Sequence, residues 1–519
     1  MHLRKEFDHD RPISHPRVGF SLAVICLLFE FHQPTCAAPE GIRVVAVEAP
    51  PIAGPLRVSI ANPRYFCDAK DRIVYLTGSH NWRNLLDWRT SPEFDYTGYL
   101  DLLQFYHHNL IRLWSREGSS YGTGNALKGS YPELYLRTGP GLALDGRPKF
   151  DLGKLNPAYF DRLRLRVREA HDRRIYVMVM LFHGFAVHNK GGGRVNPWPG
   201  HPFNANNNVN GIDGDANGNG EGEELHTLQV SAATKLQEAY VRKVVETVND
   251  LDVIYEISNE SHRGSVAWQY HMIDLIHEVE KSKLRQNPVL MSAMLDGEGD
   301  TGADNSALFA SPAEAVSPGP GVMRAYRENP PPSDGSKVVI SDTDHLWGVG
   351  GDVDWVWKSF LRGLNPIFMD PLEDPTRADV RRALGLSLVI ANRVNLAKMA
   401  PRTDLASSAY CLTNLGSEYL VYLPSDSHWL ESRIKSWMQS IYLVRRFSRV
   451  AEYVRPFVKL SVEVDLSLGP DRLNVTWFNP SAGTVQPGGQ ATGGRPMKFT
   501  APFKGPALLH LTAARATAP

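Results

Sequence analysis

The sequence is poor in cysteine, has no net charge and carries no apolar run long enough to span a bilayer. Four cysteines in 519 residues are too few for a disulfide-built scaffold. Lys+Arg and Asp+Glu balance at 56 each, so no basic field favours nucleic acid or an anionic membrane surface. No H-E-x-x-H pair occurs; His277-Glu278 lacks its second His, which removes the common zinc-protease arrangement. No short-period repeat marks a solenoid. The apolar stretch Val18 to Phe29 falls short of a membrane-spanning helix.

That stretch instead reads as the core of an export signal. Basic residues up to Arg17 precede it, and the small residues of Thr35-Cys36-Ala37-Ala38 follow it, as a cleavage site requires. Residues 1–38 are therefore expected to be a signal peptide. The mature protein is expected to be secreted or periplasmic, with no membrane attachment after cleavage. Residues 39–60, rich in Pro, Ala and Gly, read as a linker. Beyond them Cys67 and Cys411 lie far apart without a spacing signature and read as two buried thiols, with a pair formed in an oxidising compartment as the alternative. Hydrophobic residues at 42% and charged residues at 22% suffice for a packed core, and the length suits a large barrel plus an accessory module.

From residue 61 to 402 apolar runs alternate with helical patterns, which predicts a parallel sheet covered by helices. After a small hairpin over Asn62 to Asp71, strands are expected at Ile73–Thr77, Leu110–Trp114, Ile175–Phe182, Val253–Ile257, Pro288–Ala293, Ala313–Ser317, Lys337–Ser341 and Asn365–Met369. Helices are expected between them, the last over Arg377–Lys398. Eight strand–helix units are the count of a (β/α)8 TIM barrel. From 403 to 519 the pattern alternates with period two, at Tyr419–Leu423, Leu460–Leu466, Leu473–Phe478 and Phe503–Leu511. This predicts an all-β sandwich domain, interrupted by a helical pattern over Glu431–Val450 and a Gly-rich stretch from Gly488 to Gly494.

Chemistry concentrates where strands end. Val253 to Ser258 is a short strand-forming run that closes in Asn259-Glu260. A carboxylate at the C-terminal lip of a barrel strand suits a general acid/base; a helix-capping Glu is the plainer alternative. Period-two counting puts Glu256 inside the barrel below Glu260, where it needs a cationic or hydrogen-bonding partner. Asp342 ends the run Val338-Val339-Ile340-Ser341 in the same way, and Asp344 shares its parity. Two carboxylates across one barrel mouth are what glycoside hydrolysis requires. Glu260 and Asp342 are the expected catalytic pair, with Asp344 as the alternative to Asp342; one aspartate can equally cap the next helix. His80, Trp82, Trp114, His183, Asp344, His345, Trp347 and Asp370 also lie at or near strand ends. Each is a candidate sugar contact or a lip-packing residue.

Residues Asp213 to Glu224, DGDANGNGEGEE, fit D-x-[DN]-x-[DN]-G-x5-E. Asp213, Asp215, Asn217, Asn219 and Glu224 offer oxygens for a structural Ca²⁺, with Gly218 at the turn. Gly220 replaces the usual apolar residue and no helix pattern precedes the loop, so this is not an EF-hand. A Gly/Asn-rich surface turn reads equally well.

Asn109-Leu110-Ile111-Arg112 together with Tyr255-Glu256-Ile257-Ser258-Asn259-Glu260 resembles the clan A glycoside hydrolases. The resemblance implies that Arg112 supports the nucleophile, that Asn259 and Glu260 end the fourth strand, and that Asp342 ends the seventh. The clan's usual nucleophile is Glu, so Asp342 departs from the pattern. The N-terminal hairpin, with Trp477-Phe478-Asn479-Pro480 through Phe499-Thr500-Ala501-Pro502-Phe503, looks like the apiosidase-like branch, whose tail is labelled collagen-binding. The resemblance implies a retaining glycosidase acting on plant-type or other complex glycans, with a carbohydrate partner and no cofactor for its chemistry. A non-catalytic carbohydrate- or collagen-binding adhesion protein is the competing reading. It would not need Glu260 and Asp342 together.

Overall fold

The computed structural model describes residues 42–43, 51–118, 120–123, 126–187, 195–296, 300, 302–425 and 459–514. The signal peptide and the helix expected over Glu431–Val450 lie outside them. Among the described residues no helix is long and apolar enough to cross a membrane.

Eight parallel strands close into a barrel: β1 (Gly78–His80), β2 (Leu110–Trp114), β3 (Tyr176–His183), β4 (Val253–Asn259), β5 (Val289–Ser292), β6 (Ala315–Ser317), β7 (Val338–Asp342) and β8 (Asn365–Met369). Closure is made by β8 against β1, with Met369 opposite His80. Between the strands run α1 (Tyr96–Phe105), α2 (Pro157–Asp172), α3 (Ser231–Val248), α4 (Val266–Glu280) and α5 (Val353–Leu361), and after β8 comes α6 (Ala378–Ala391). Their starts are set by local chemistry. Asp95 caps α1 through the Gly98 N–H, Asn156 caps α2 with Pro157 in its first turn, and Asp352 caps α5, each satisfying an amide that the helix leaves unpaired.

The first strand differs from expectation. Ile73–Val74 pairs with Phe66–Cys67, which pairs with Arg57–Val58, in a separate three-stranded sheet. Only Gly78-Ser79-His80 enters the barrel. Leu56 and Phe66 from this small sheet join Leu76, Leu110, Met178, Ile254, Leu290, Val338 and Ile367 in one buried cluster. The sheet therefore plugs the N-terminal end of the barrel and leaves the opposite end for chemistry. Cys67 and Cys411 are free, buried thiols.

The C-terminal region is a sandwich of a seven-stranded and a two-stranded antiparallel sheet. The larger contains β9 (Ala400–Pro401), β10 (Cys411–Asn414), β11 (Glu418–Leu423), β13 (Leu473–Asn479), β14 (Thr484–Ala491) and β16 (Ala507–Ala513), with Ile42–Arg43 at its edge beside β14. The smaller pairs β12 (Ser461–Asp465) with β15 (Pro496–Thr500). Pleating divides β11 between two cores. Tyr419 and Val421 face Val462, Val464 and Leu509 inside the sandwich. Leu420 and Tyr422 face Trp357, Phe360 and Leu384 of α5 and α6. The Gly-rich stretch from Gly488 supplies part of β14, which holds its place by backbone pairing with β13 across a bulge at Val475/Thr476.

Candidate active site

The site forms where β1, β2, β4 and β7 end. Arg112, in the middle of β2, is fully buried, so its charge requires carboxylates. Glu256, also fully buried, answers with two oxygens, Nε to Oε2 and Nη2 to Oε1, each at 2.5 Å. The partner that a barrel-facing Glu256 demands is therefore Arg112. The same guanidinium donates from Nη2 to Asn259 Oδ1 at 2.8 Å. From Nη1 it donates to Asp344 Oδ2 at 2.8 Å and to Asp342 Oδ2 at 3.4 Å. One cation thus joins the ends of β4 and β7.

The two histidines of this network have readable protonation. Trp114 Nε1–H donates to His80 Nδ1 at 2.8 Å. An indole nitrogen can only donate, so His80 carries its proton on Nε2 and gives it to Asp342 Oδ1 at 2.9 Å. His345 Nε2 lies 3.0 Å from Asn259 Oδ1 and its Nδ1 lies 2.8 Å from Ser317 Oγ. Arg112 Nη2 also lies 3.4 Å from this Nε2; the shorter contact, to the amide oxygen, sets the proton on Nε2 and makes Nδ1 the acceptor. Burial first, then the Arg112 charge, lowers the His345 pKa to about 3, so this ring is neutral at physiological pH. Asn259 Oδ1 accepts from both Arg112 and His345, which leaves its Nδ2–H₂ to donate elsewhere.

The two aspartates differ sharply. Asp342 is fully buried. It caps the short helix Thr343–Leu346 by accepting the Asp344 N–H at 2.9 Å, besides meeting His80 and Arg112. Burial alone would raise its carboxyl; the His80 contact and then Arg112 outweigh burial and hold it well below the usual carboxylate range. Asp344 keeps 8% side-chain exposure, and its Oδ1 makes no hydrogen bond among the described residues. Burial, opposed by Arg112 and reinforced by the Asp342 charge, lifts Asp344 to about 6. Three carboxylates around one guanidinium cannot all be compensated, and the strain falls on the one nearest solvent.

Glu260 follows β4 in the left-handed region, at φ +47°, which a non-glycine residue adopts only when its surroundings enforce it. Two supports are visible. Gly184, just after β3, crowds the turn so closely that a Cβ there would lie 2.2 Å from Glu260 O. On the other side Ser261 Oγ lies 2.5 Å from Ser258 Oγ and 2.9 Å from His226 Nδ1. His226 Nε2 in turn meets Glu117 Oε1, and its ring stacks on Trp268 at 4.5 Å. His262 Nε2 reaches the Glu223 carbonyl at 3.0 Å. Glu117, His226, Ser261 and Gly184 are not predicted by the sequence patterns. His226 lies in an insertion without periodicity, and only the position of Ser261 beside Glu260 hints at it.

The remaining expected contacts divide by exposure. His80, Arg112, Trp114, His183, Asn259 and His345 are buried. Trp114 lies under the Arg112 guanidinium at 4.7 Å and stacks on His80 at 5.7 Å; His183 lies 5.6 Å from it. Trp82 and Trp347 keep partly open surfaces. Asp370 departs from the expected sugar contact. It is fully buried, with both oxygens held by Arg381 at 2.7 and 2.6 Å, and so clamps α6 to β8.

Residues 122–306 match a family described as a domain of unknown function, DUF6298. No curated protein matches the chain. Among solved structures, one described as a glycoside hydrolase aligns over 89% of this chain and 98% of its own, at 12% identity and a TM-score of 0.52. A glycoside hydrolase family 5 structure from Bacteroides vulgatus ATCC 8482 aligns over 89% and 94%, at 11% identity and a TM-score of 0.51. At such identities the likeness is one of fold: a closed parallel barrel followed by antiparallel sheets, an architecture shared with glycoside hydrolases.

Proposed function

We propose that this chain is a secreted or periplasmic retaining glycosidase that cleaves O-glycosidic bonds in plant-type or other complex glycans. The observation that carries this reading is the Arg112 network. It binds the end of β4, which leads directly into Glu260, to Asp342 at the end of β7 and to Asp344 just beyond it. Two carboxylic groups in unlike surroundings at one barrel mouth suit acid/base and nucleophilic roles. The apiosidase-like resemblance supports the glycan class.

In this reading Glu260 protonates the leaving oxygen while Asp342 or Asp344 attacks the anomeric carbon. Glu260 then takes a proton from water, which hydrolyses the glycosyl ester and regenerates both groups. The sequence pattern favours Asp342 as nucleophile. Burial supports Asp344 instead, because an attacking oxygen needs an open lone pair and Asp342 has both oxygens engaged. Asp342 then orients the network from below. Asn259 Nδ2 donates to a substrate hydroxyl, and Trp82 and Trp347 offer apolar faces to sugar rings.

The test is digestion of a panel of pectic and hemicellulosic glycans by the purified protein. Wild type releases new reducing ends or free sugars, and Glu260→Gln slows release by about 10²–10⁴-fold without changing the melting temperature. Binding of glycans with no release by wild type overturns the enzyme reading in favour of an adhesion protein.

A further inference from the structure

We infer that Glu117, His226 and Ser261 are positioning residues for the reaction at Glu260, acting through a one-way chain of hydrogen bonds that fixes the peptide after it. The inference rests on Glu260 being the acid/base proposed above.

The three side chains come from three successive strand ends. Glu117 follows β2, His226 closes the turn Glu223–His226 that precedes α3, and Ser261 follows β4. All three are buried, as is Ser258 on β4. Buried polar groups need partners, so donors and acceptors can be followed atom by atom. A carboxylate oxygen accepts, so His226 Nε2 carries a proton and donates it to Glu117 Oε1. The ring then offers a bare Nδ1 to the Ser261 hydroxyl, 2.9 Å away, because the bond at one ring nitrogen sets the role of the other. With its proton turned to His226, Ser261 Oγ accepts from Ser258 Oγ at 2.5 Å.

The direction of the chain is set by Glu117. Its Oε2 is buried with no hydrogen-bond partner among the described residues, so the carboxylate depends on the His226 proton. The other tautomer would press a bare Nε2 against Oε1, two acceptors in contact, and leave both unsatisfied. The ring cannot turn away easily, since it stacks on Trp268 at 4.5 Å and 10°.

Ser261 is where the chain meets the reaction. Two hydrogen bonds converge on its Oγ, and its carbonyl accepts the Leu295 N–H at 3.1 Å. The Glu260–Ser261 peptide is therefore held from its C-terminal side, while Glu260 sits at φ +47°, a conformation that persists only when its neighbours enforce it. Ser292 Oγ donates to the Ser258 carbonyl at 2.6 Å and ties the far end of the chain to β5. Being buried, none of the three residues reaches substrate; each acts through the direction in which Glu260 points.

Two substitutions of His226 separate aim from stability. In His226→Gln the amide nitrogen still reaches Glu117, but nothing stands at the place of Nδ1, and Ser261 loses its acceptor. In His226→Asn the amide oxygen stands near the place of Nδ1 and accepts from Ser261, but Glu117 loses its donor. Both variants lose the ring that stacks on Trp268. The Asn variant should therefore melt lower. The Gln variant should be the slower enzyme, with kcat down by about 10–10²-fold and KM little changed, and the Asn variant should keep kcat well above it. Ser261→Ala removes one oxygen and leaves the Glu117–His226 contact in place, so it stays readable if a His226 variant folds poorly. Its kcat should match that of His226→Gln, and the two substitutions together should be no slower than either alone, because both break the same link.

The measurements are thermal scans and steady-state kinetics on the glycan that wild type hydrolyses. The same order of variants in melting temperature and in kcat, a wild-type kcat in Ser261→Ala, or losses that multiply in the double variant would overturn the positioning role and leave the proposed function standing. A wild type that hydrolyses no glycan overturns the proposed function itself, and the positioning role falls with it.

Discussion

Arg112 and Glu256 face each other inside the barrel through two contacts of 2.5 Å, and neither side chain has any exposure. The planar fork matches the carboxylate, and lysine cannot reproduce it. Arg112 also organises Asn259, Asp342 and Asp344, so its loss damages both packing and site. Arg112→Lys is expected to lower the melting temperature by roughly 5 °C or more, since breaking a buried pair costs about 3–5 kcal/mol. Turnover of whichever glycan proves to be the substrate should fall by about 10²-fold or more. A variant with wild-type stability and rate would show that the network is not the frame of the site.

Gly184 offers a sharper probe of Glu260. A Cβ there meets Glu260 O at 2.2 Å and the Ser261 nitrogen at 2.6 Å, and both belong to backbone that cannot swing aside as a side chain can. Gly184→Ala should displace the Glu260 turn by a fraction of an ångström to about 1 Å, enough to lower kcat by about 10²-fold with little change in KM. Steady-state kinetics decide it; an unchanged kcat would mean that the turn has room the geometry denies.

These two residues also mark what the sequence discloses. Glu256 and Asp342 are legible because they sit on short β-branched or apolar runs, Val253–Ile257 and Val338–Ile340, where period-two counting assigns each side chain a face; Arg112, on Leu110–Trp114, is picked out by the family resemblance. The first barrel strand is not legible in the same way. Its apolar neighbours Ile73 and Val74 belong to the plug sheet, and Gly78-Ser79-His80 is polar because it serves the site. β14 escapes notice because Thr484–Ala491 is held by main-chain pairing and carries no apolar alternation. The support of Glu260 depends on Glu117 meeting His226 from 109 residues away, a loop-to-loop contact that no periodicity encodes. Burial, which separates Asp342 from Asp344, is a property of the assembled barrel.

The raised Asp344 carboxyl has a consequence for stability. Its pKa moves from the ordinary aspartate value of 3.8 to about 6 on folding. The folded protein therefore binds the proton more tightly than the unfolded chain, and stability falls as pH rises from about 4 through 6. At neutral pH the folded state carries this penalty in full. Asp344→Asn mimics the protonated form and escapes it. The variant should melt higher than wild type at pH 7.5, with the gap closing at pH 4, in thermal scans run at both values. Equal melting temperatures at pH 7.5 would show that Arg112 compensates Asp344 fully.

Asp342 and Asp344 can be separated by chemical rescue. A retaining enzyme whose nucleophile is cut to glycine leaves a small cavity at the anomeric carbon, and azide can enter it and attack. Asp344 has an unbonded oxygen and residual exposure, so Asp344→Gly should lose activity by about 10³-fold or more and recover with millimolar azide, giving a glycosyl azide of inverted configuration from an activated aryl glycoside. Asp342→Gly removes the His80 contact, the helix cap and one partner of Arg112 together. It should lose activity without azide rescue, because no open face leads from that position to the sugar. The wild-type product should retain the anomeric configuration in proton NMR of the first-formed sugar. Rescue of Asp342→Gly alone would return the attack to the end of β7. An inverted first product from wild type would remove the covalent intermediate altogether and make the β7 carboxylate a base for water, which requires a carboxyl separation of roughly 6.5–9.5 Å in place of the 5–5.5 Å of retention.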